Sequence, residues 1–482
     1  MRRLSASRTT ARIRGVPSWS RLAAVLYAAA WSANCQAITP VPDSVVLITL
    51  DTTRADRLPA YGFQGVSTPA IDRLAAEGIV FEDAVAPVPL TLPSHVSLLT
   101  GRWPARHGIR DNADAALAPA ELTLAEVLRD RGVRTSAFVA SVVLQSGRGL
   151  EQGFGTYIDV PKGACGNVTQ RRRPGDAVVD DALAWIDQNA ERPFFTWVHL
   201  YDAHRPSYAP EAYSNRHGDP YLDAIAFQDS QVARIVEQLE SQRLLDRTIV
   251  VVVADHGESL GEHGEDGHGI FLYESTLRVP LIMRVPYLQP GRVSSTVRLV
   301  DLMPTVLDLL RVPVPVVDGV SLARMMTQGV ADMQLEAYSE SVYPERFGWS
   351  SLRSLRGDRY KLIDAPRPEL YDLQTDPFEQ RNLYAENPRL AGVLRQRLAR
   401  FETPTAERER TSVAIGADHA SRLTALGYVG TPTPTSTARG GEPWPDPKDT
   451  IREYNAIVQE RLERSPRAGL TDPGGCSAQA FR

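Results

Sequence analysis

Short apolar runs, each ended by a polar residue, recur along the chain and predict buried β-strands. The runs lie at residues 45–50, 135–140, 194–200, 249–253 and 280–284. The runs at residues 45–50 and 249–253 are continuously apolar rather than alternating, which is typical of strands covered on both faces of a sheet. Between them, apolar residues at helical spacing predict helices at residues 70–77, 176–189, 221–242 and 302–310. We therefore expect an α/β fold with a large, mainly parallel sheet sandwiched by helices.

The pattern changes after residue 348 and indicates a second, smaller unit. Two short strands are predicted within residues 351–363, and a helix near residues 388–401. We expect a catalytic domain at residues 43–347 and a small C-terminal α+β subdomain at residues 348–402. Residues 403–449 are predicted to be a linker, because residues 431–447 are rich in Pro, Thr, Gly and Ser. A short helix and a tail are expected at residues 450–482.

The N-terminal residues differ in composition from the rest of the chain. Residues 2–21 carry arginines and no acidic residue, residues 22–31 are apolar, and small residues follow up to Ala37. This order predicts a signal peptide at residues 1–37 and a periplasmic or secreted protein; a disordered N-terminus is the alternative. The apolar run is too short to span a membrane, and we expect no transmembrane segment after it. Cys35 weakly resembles a lipid-attachment site, and Cys165 and Cys476 could form a disulfide.

The charge balance does not indicate a nucleic-acid-binding protein. The formal net charge is −5, from 53 basic and 58 acidic residues, and no basic stripe stands out. A partner protein bound through the C-terminal tail is one hypothesis, although no internal repeat supports it.

Acidic residues follow three of the predicted strands. They are Asp51, Asp202 and Asp255, and in a parallel sheet such strand ends meet at the edge where ligands bind. Asp255 is followed by His256, and an Asp-His pair offers one oxygen and one imidazole ligand, which suits zinc or manganese. A helix-capping Asp is the ordinary alternative for Asp51.

Thr91 precedes a predicted helix. Pro93 fits the first turn of a helix that runs to Gly101, so Thr91 would lie at the positive end of that helix. A hydroxyl at such a position can become nucleophilic when a metal lies beside it. The alternative is that Thr91 is an ordinary helix cap.

Taken together, these segments resemble the sulfatase family of the alkaline-phosphatase superfamily. The resemblance extends over residues 43–402 and depends on the order and spacing of several motifs. The motifs are Asp51, Thr91-Leu92-Pro93 leading into Leu98-Leu99-Thr100-Gly101-Arg102, Trp103-Pro104-Ala105-Arg106-His107-Gly108, His199-Leu200-Tyr201-Asp202-Ala203-His204, Asp255-His256-Gly257, Tyr273-Glu274-Ser275-Thr276-Leu277-Arg278-Val279-Pro280 and Glu369-Leu370-Tyr371-Asp372-Leu373.

The resemblance implies a metal site and a catalytic residue. One divalent metal ion is expected, with zinc or manganese favoured and calcium or magnesium as alternatives. Its ligands would be Asp51, Thr91, Asp255 and His256. Thr91 falls at the position of the family's catalytic residue and would attack the substrate as well as bind the metal.

The resemblance also implies residues that contact an anionic ester substrate. His204 and His268 fall where relatives hold the transferred oxyanion or protonate the leaving group. Asn112 matches an oxyanion-contacting position of the phosphonate-ester and phosphodiester-cleaving relatives. His95 stands where the family has Arg, and we expect it to bind substrate.

Thr91 marks a departure from the family. Sulfatases carry Cys or Ser at this position and convert it to formylglycine, which Thr cannot give by the same oxidation. Thr52 replaces a second carboxylate, and His256 replaces the Asn or Gln of calcium-binding sulfatases. These departures favour the phosphotransferase-like branch, in which an unmodified Thr attacks.

We therefore expect a metal-dependent hydrolase that cleaves sulfate esters, or phosphate or phosphonate diesters, through a covalent Thr91 intermediate. One alternative is a periplasmic transferase that moves a phospho head group onto a glycan or lipid. A second alternative is a non-catalytic binding protein on the same fold.

Overall fold

The computed structural model describes residues 41–113, 116–160, 172–328, 333–402 and 444–464. The expected signal peptide, all three cysteines, most of the expected linker and the tail after residue 464 lie outside the described residues. The proposals of export, lipid attachment and a disulfide therefore stay predictions. In the described part of the chain, we find no helix of sufficient length and apolarity to cross a membrane.

The large sheet has nine strands, in the order β10-β2-β9-β6-β1-β5-β3-β4, with β11 also paired to β2. Its strands are β1 (Ser44–Leu50), β2 (Ile79–Val85), β3 (Arg134–Val139), β4 (Thr156–Ile158), β5 (Phe194–Leu200), β6 (Thr248–Val253), β9 (Arg278–Arg284), β10 (Gly291–Val293) and β11 (Val297–Arg298). All pairs are parallel except those that β9 makes with β2 and β6. The prediction of a mainly parallel sheet is confirmed.

Helices cover both faces of this sheet. Successive residues of β1 point to opposite faces, so Val45 and Leu47 belong to one hydrophobic core and Val46 and Ile48 to the other. The helices of six or more residues are α1 (Pro69–Glu77), α2 (Thr91–Thr100), α3 (Leu124–Arg129), α4 (Gly175–Asn189), α5 (Pro220–Ser241), α6 (Leu302–Leu309), α7 (Ala323–Gln328), α8 (Pro388–Leu398) and α9 (Pro447–Arg464). Residues of α2 and α6 line the first core, and residues of α4 and α5 line the second.

A small antiparallel sheet forms the C-terminal lobe. Its order is β12-β13-β14-β15, from strands Ala337–Ser341, Leu352–Arg356, Tyr360–Asp364 and Glu369–Asp372. Leu355, Leu362 and Leu370 share a core with Leu394 and Leu398 of α8. The lobe therefore begins before the boundary expected at residue 348. A further two-stranded pair, β7 (Ser259–Leu260) and β8 (Asp266–Gly267), lies within the main domain.

One strand and one helix boundary also differ from the predictions. Strand β2 was not predicted, because Glu82 and Asp83 interrupt its apolar run; both side chains are only half-buried in the structure. Helix α9 begins at Pro447, inside the segment expected to be linker.

Candidate active site

Two acidic residues lie at the carboxyl ends of adjacent central strands. Asp51 directly follows β1 and Asp255 follows β6, and these strands pair in parallel. Both residues are completely buried. With His256 they offer one ligand atom each within 4.8 Å of one another, and this is the candidate metal group that the described residues form. The common edge expected from the strand ends is thus present.

The two carboxylates are short of positive partners. Within the described residues, Asp51 Oδ1 and Asp255 Oδ2 have no hydrogen-bond partner, and the ion-pair partners of both side chains are histidines. Burial, followed by the charge of Asp51, raises the pKa of Asp255 to about 7. Burial also raises the pKa of Asp51 well above its usual range. A divalent cation would offset this buried negative charge, so the donor set fits a metal ion.

The hydrogen bonds of His256 leave one ring nitrogen available as a ligand. Its Nδ1 donates to the carbonyl oxygen of Gly257 at 2.9 Å, so the neutral ring carries its lone pair on Nε2. Nε2 lies 3.5 Å from Asp255 Oδ2 and 3.4 Å from Thr91 Oγ1. Burial lowers the pKa of His256 to about 4, which keeps the ring neutral at physiological pH.

Thr91 is the first residue of α2 and is completely buried. The N-cap of this helix is Leu90, whose side chain makes no capping hydrogen bond, and the Thr91 hydroxyl is turned to the acid cluster instead. A hydrogen bond with Thr91 lowers the pKa of Asp51 and so opposes part of the effect of burial. The ordinary capping explanation for Thr91 therefore does not apply.

The structure does not support His95 as a substrate-binding residue. Its Nδ1 donates to the carbonyl oxygen of Thr91 at 2.7 Å, and its Nε2 accepts from Thr49 Oγ1 at 3.1 Å. Thr49 Oγ1 in turn accepts from Trp197 Nε1 at 2.9 Å. Both ring nitrogens are thus occupied in a buried site, where His95 positions the backbone of Thr91 rather than meeting a ligand.

His204 and His268 face each other beside the acid cluster. Their Nδ1 atoms donate to the carbonyl oxygens of Arg205 at 2.8 Å and Pro89 at 3.0 Å, and their Nε2 atoms are 3.2 Å apart. The His268 ring centroid is 4.3 Å from that of His256. With both Nδ1 atoms protonated, two neutral rings would present two lone pairs to each other. Burial lowers the pKa of both rings well below the usual value, so the free pair is neutral, and an anionic ligand that offsets a positive charge would let the pair take up one proton.

Asn112 directs its amide toward the start of α2. Its Oδ1 accepts from the backbone N–H of Leu92 at 2.8 Å, and Arg148 fixes its backbone by donating to the Asn112 carbonyl at 2.6 Å. Its Nδ2 is buried and has no partner among the described residues. A buried amide donor without a partner is available to an oxygen atom of a ligand.

One residue of the cluster was missed and another lies apart from it. His199, in β5, donates from Nε2 to Asp51 Oδ2 at 3.1 Å and accepts from the backbone N–H of Ala140 on Nδ1 at 3.3 Å. The available signal in the sequence was that His199 is two residues from Trp197 and therefore lies on the same face of the strand. Asp202 lies on the same edge but accepts from the backbone N–H of Gly175 at 3.1 Å and is outside the candidate metal group.

The mainly parallel sheet, the buried acid–histidine group at its edge and the small antiparallel lobe define a protein of the alkaline-phosphatase and sulfatase-like fold. Comparison with family models agrees: the model described as "Sulfatase" matches residues 43–312. A second model, "N-sulphoglucosamine sulphohydrolase, C-terminal", matches residues 261–403. Since the first covers more than half of the chain, the chain belongs to the sulfatase family. The predictions of the fold and of a sulfatase-family hydrolase are confirmed.

Individual relatives and solved structures lie within the same family or fold. The chain is 26% identical to human arylsulfatase A, over 71% of this chain and 83% of that protein. It is 29% identical to N-acetylgalactosamine-6-sulfatase of Canis lupus familiaris, over 64% and 70% respectively. The crystal structure of the phosphonate monoester hydrolase of Agrobacterium radiobacter superimposes with a TM-score of 0.65, at 21% identity over 75% of this chain and 95% of that one.

Proposed function

We propose that this protein is a metal-dependent hydrolase in which unmodified Thr91 attacks a sulfate ester, a phosphate diester or a phosphonate monoester, and forms a covalent intermediate. The observation that carries the proposal is the position of the Thr91 hydroxyl. It begins a buried helix and lies 3.4 Å from His256 Nε2, beside the candidate metal group of Asp51, Asp255 and His256.

Asp51, Asp255, His256 and Thr91 would hold one divalent ion. Two carboxylates, one imidazole and one hydroxyl suit zinc or manganese, and the preponderance of oxygen also admits calcium or magnesium. When bound, such an ion supplies Lewis acidity that lowers the pKa of the Thr91 hydroxyl and polarises the ester oxygens.

The residues of the chain then carry out a two-step displacement. Thr91 Oγ1 loses its proton to solvent and attacks phosphorus or sulfur, while the bond from that centre to the alcohol oxygen breaks. The departing oxygen takes a proton from the His204–His268 pair, and Asn112 Nδ2 donates to an oxygen of the transferred group. Water then attacks the same centre and returns a proton to the histidine pair. The bond to Thr91 Oγ1 breaks, and this oxygen recovers a proton from solvent.

The proposed substrates share a single negative charge on the transferred group. Sulfate monoesters, phosphodiesters and phosphonate monoesters all have this property. Asn112 Nδ2 and a histidine pair that takes up one proton with the bound substrate would suit one charge better than the two charges of a phosphate monoester. Arylsulfatase A and the phosphonate monoester hydrolase, by their names, represent both halves of this substrate range among the similar proteins.

The test is turnover of matched aryl esters by the purified protein with added metal. The panel contains a sulfate monoester, a phosphodiester, a phosphonate monoester and a phosphate monoester, each with wild type and Thr91→Ala. We expect cleavage of at least one singly charged ester, a loss of at least about 1,000-fold in kcat for Thr91→Ala, and an adduct on the Thr91 peptide after acid quenching.

Thr100→Ala is the matched control, because Thr100 is buried at the opposite end of the same helix and its hydroxyl donates to the helix carbonyl of Val96 at 2.7 Å. It should retain wild-type turnover. Turnover that survives in Thr91→Ala would contradict the proposed nucleophile. Release of the adduct by an added alcohol in preference to water would indicate the transferase instead, and metal binding without turnover of any ester would indicate a binding protein.

A further inference from the structure

Helix α9 contacts the active-site loop although it lies beyond the segments that match the family models, which end at residue 403. Tyr454 Oη donates to the carbonyl oxygen of His268 at 2.9 Å. The Tyr454 side chain is buried, and its ring packs edge-on against Tyr343 and Phe347. The hydroxyl is therefore fixed at the backbone of a residue that we place at the substrate.

Asn455 holds the same loop at two more points. Its Oδ1 accepts from the backbone N–H of Asp266 at 3.0 Å, and its Nδ2 donates to the carbonyl oxygen of Gly264 at 2.7 Å. The loop contains Gly264 and Gly267 at φ +82° and +114°, conformations that glycine adopts easily and leaves easily. Contacts at alternate residues 264, 266 and 268 thus restrain a segment whose own backbone is permissive.

Asp266 extends this restraint to the second histidine. Its carboxylate forms an ion pair with Arg205, the residue after His204, and accepts from Gln459 Nε2 of α9 at 2.6 Å. One carboxylate therefore joins the helix to the loops that carry His204 and His268.

The first turn of α9 is held by the C-terminal lobe. Asp446 accepts from the backbone N–H of Arg367 at 2.9 Å, and Lys448 donates to the Arg367 carbonyl at 2.7 Å. The helix thus bridges the lobe and the active-site loop.

We propose that α9 is a positioning element of the active site, and that Tyr454 and Asn455 hold the His268 loop at the geometry that catalysis requires. The inference rests on the proposed function of the histidine pair. Neither residue contacts the substrate; both act through the loop backbone. Displacement of a reacting group by about 1 Å can cost on the order of 100-fold in rate, so restraint of this loop affects turnover directly.

The experiment uses the full chain and compares Tyr454→Phe and Asn455→Ala with two controls. Tyr287→Phe makes the same chemical change on a half-exposed side chain, and Glu453→Gln alters an exposed position of α9 itself. We expect each loop-contact variant to lose about tenfold in kcat with KM within about twofold of wild type, while both controls match wild type. Hydrogen exchange of the peptide that covers residues 262–270 should accelerate about tenfold in Asn455→Ala.

A double-mutant cycle separates positioning from general destabilisation. In a His268→Asn background, Tyr454→Phe should cause no further loss of kcat, because its effect passes through the His268 side chain. An equal fold-loss in both backgrounds, or unchanged exchange and unchanged kcat in both loop-contact variants, overturns the proposal. Failure of the proposed function is recognised separately, by turnover that persists in Thr91→Ala, since the exchange measurement does not depend on the identity of the nucleophile.

Discussion

Replacement of Asp255 by Asn should change stability in opposite directions with and without metal. The folded metal-free protein raises the pKa of Asp255 from 3.8 to about 7, through burial and then through the charge of Asp51. For a raised carboxyl pKa, the contribution to stability is fully present below about pH 4 and is lost as the pH rises through about 7. The shift corresponds to about 4 kcal/mol as an upper limit. At pH 8 in a chelator, Asp255→Asn should therefore be more stable than wild type, by a margin that shrinks toward pH 4.

Added metal should reverse this order. A ligand at about 10,000 times its Kd stabilises the folded state by about 5.5 kcal/mol, which exceeds the upper limit of about 4 kcal/mol, and only wild type retains both carboxylates for the ion. The assay is urea unfolding between pH 5 and pH 8, in chelator and in zinc.

Asp229→Asn is the matched control for this experiment. Asp229 also has a pKa raised to about 7 by burial, but it accepts from the backbone N–H groups of Ala70 and Ile71, outside the candidate metal group. The stability of Asp229→Asn relative to wild type should depend on pH in a similar way, and Asp229→Asn should gain as much stability from zinc as wild type does. An Asp255→Asn protein that is less stable than wild type in chelator at pH 8, and gains as much from zinc, would refute the reasoning.

Two further predictions concern the amide of Asn112 and the buried carboxyl of Glu265, which accepts from the backbone N–H groups of Ile270 and Phe271. Asn112→Ala removes the unpartnered amide donor and should lower kcat/KM for singly charged esters by about 100-fold. The loss of the hydrogen bond to the Leu92 N–H should lower the free energy of unfolding by about 1–3 kcal/mol. A decrease in initial rate of less than about threefold would contradict the assigned role of Asn112. Burial raises the pKa of Glu265 from 4.5 to about 8, so its contribution to stability is present below about pH 4.5 and lost as the pH rises through about 8. The stability of Glu265→Gln relative to wild type should therefore rise between pH 5 and pH 9, by about 5 kcal/mol at most. A difference in unfolding free energy between the two proteins that stays constant over this pH range, measured by chemical denaturation, would contradict the prediction.

The central strands could be predicted because strands covered on both faces are mainly apolar. Strand β12 could not, since its residues Ser339, Glu340 and Ser341 are polar yet buried. Glu340 is satisfied by an ion pair with Arg110, and Ser339 by the carbonyl oxygen of Ala86, so its partners lie far away in the sequence. The antiparallel direction of β9 could not be predicted either, because an apolar run does not indicate the direction of its strand in the sheet.

The candidate site, too, could be predicted only in part. Asp51 and Asp255 follow from the rule that parallel strands end at one edge, and the structure brings both to His256 and Thr91. The position of His95 could not be predicted, because it depends on a hydrogen bond with the hydroxyl of Thr49 and nothing in the sequence marks Thr49 as its partner. The contact of Tyr454 with the His268 loop also gave no signal, because the two residues are separated by an expected linker.

Every residue of α2 is buried, from Thr91 to Thr100. Asp51, Asp255 and His256 are completely buried as well, so we expect the proposed nucleophile and metal ligands to belong to the part of the protein that opens only when the core itself unfolds. The His268 loop is instead restrained by Asn455 and Gln459, whose side chains are partly open to solvent. The two halves of the site consequently differ in their resistance to heat. On gradual warming, activity should disappear while Thr91 and the proposed metal ligands still hold their positions, and cooling at that stage should restore it.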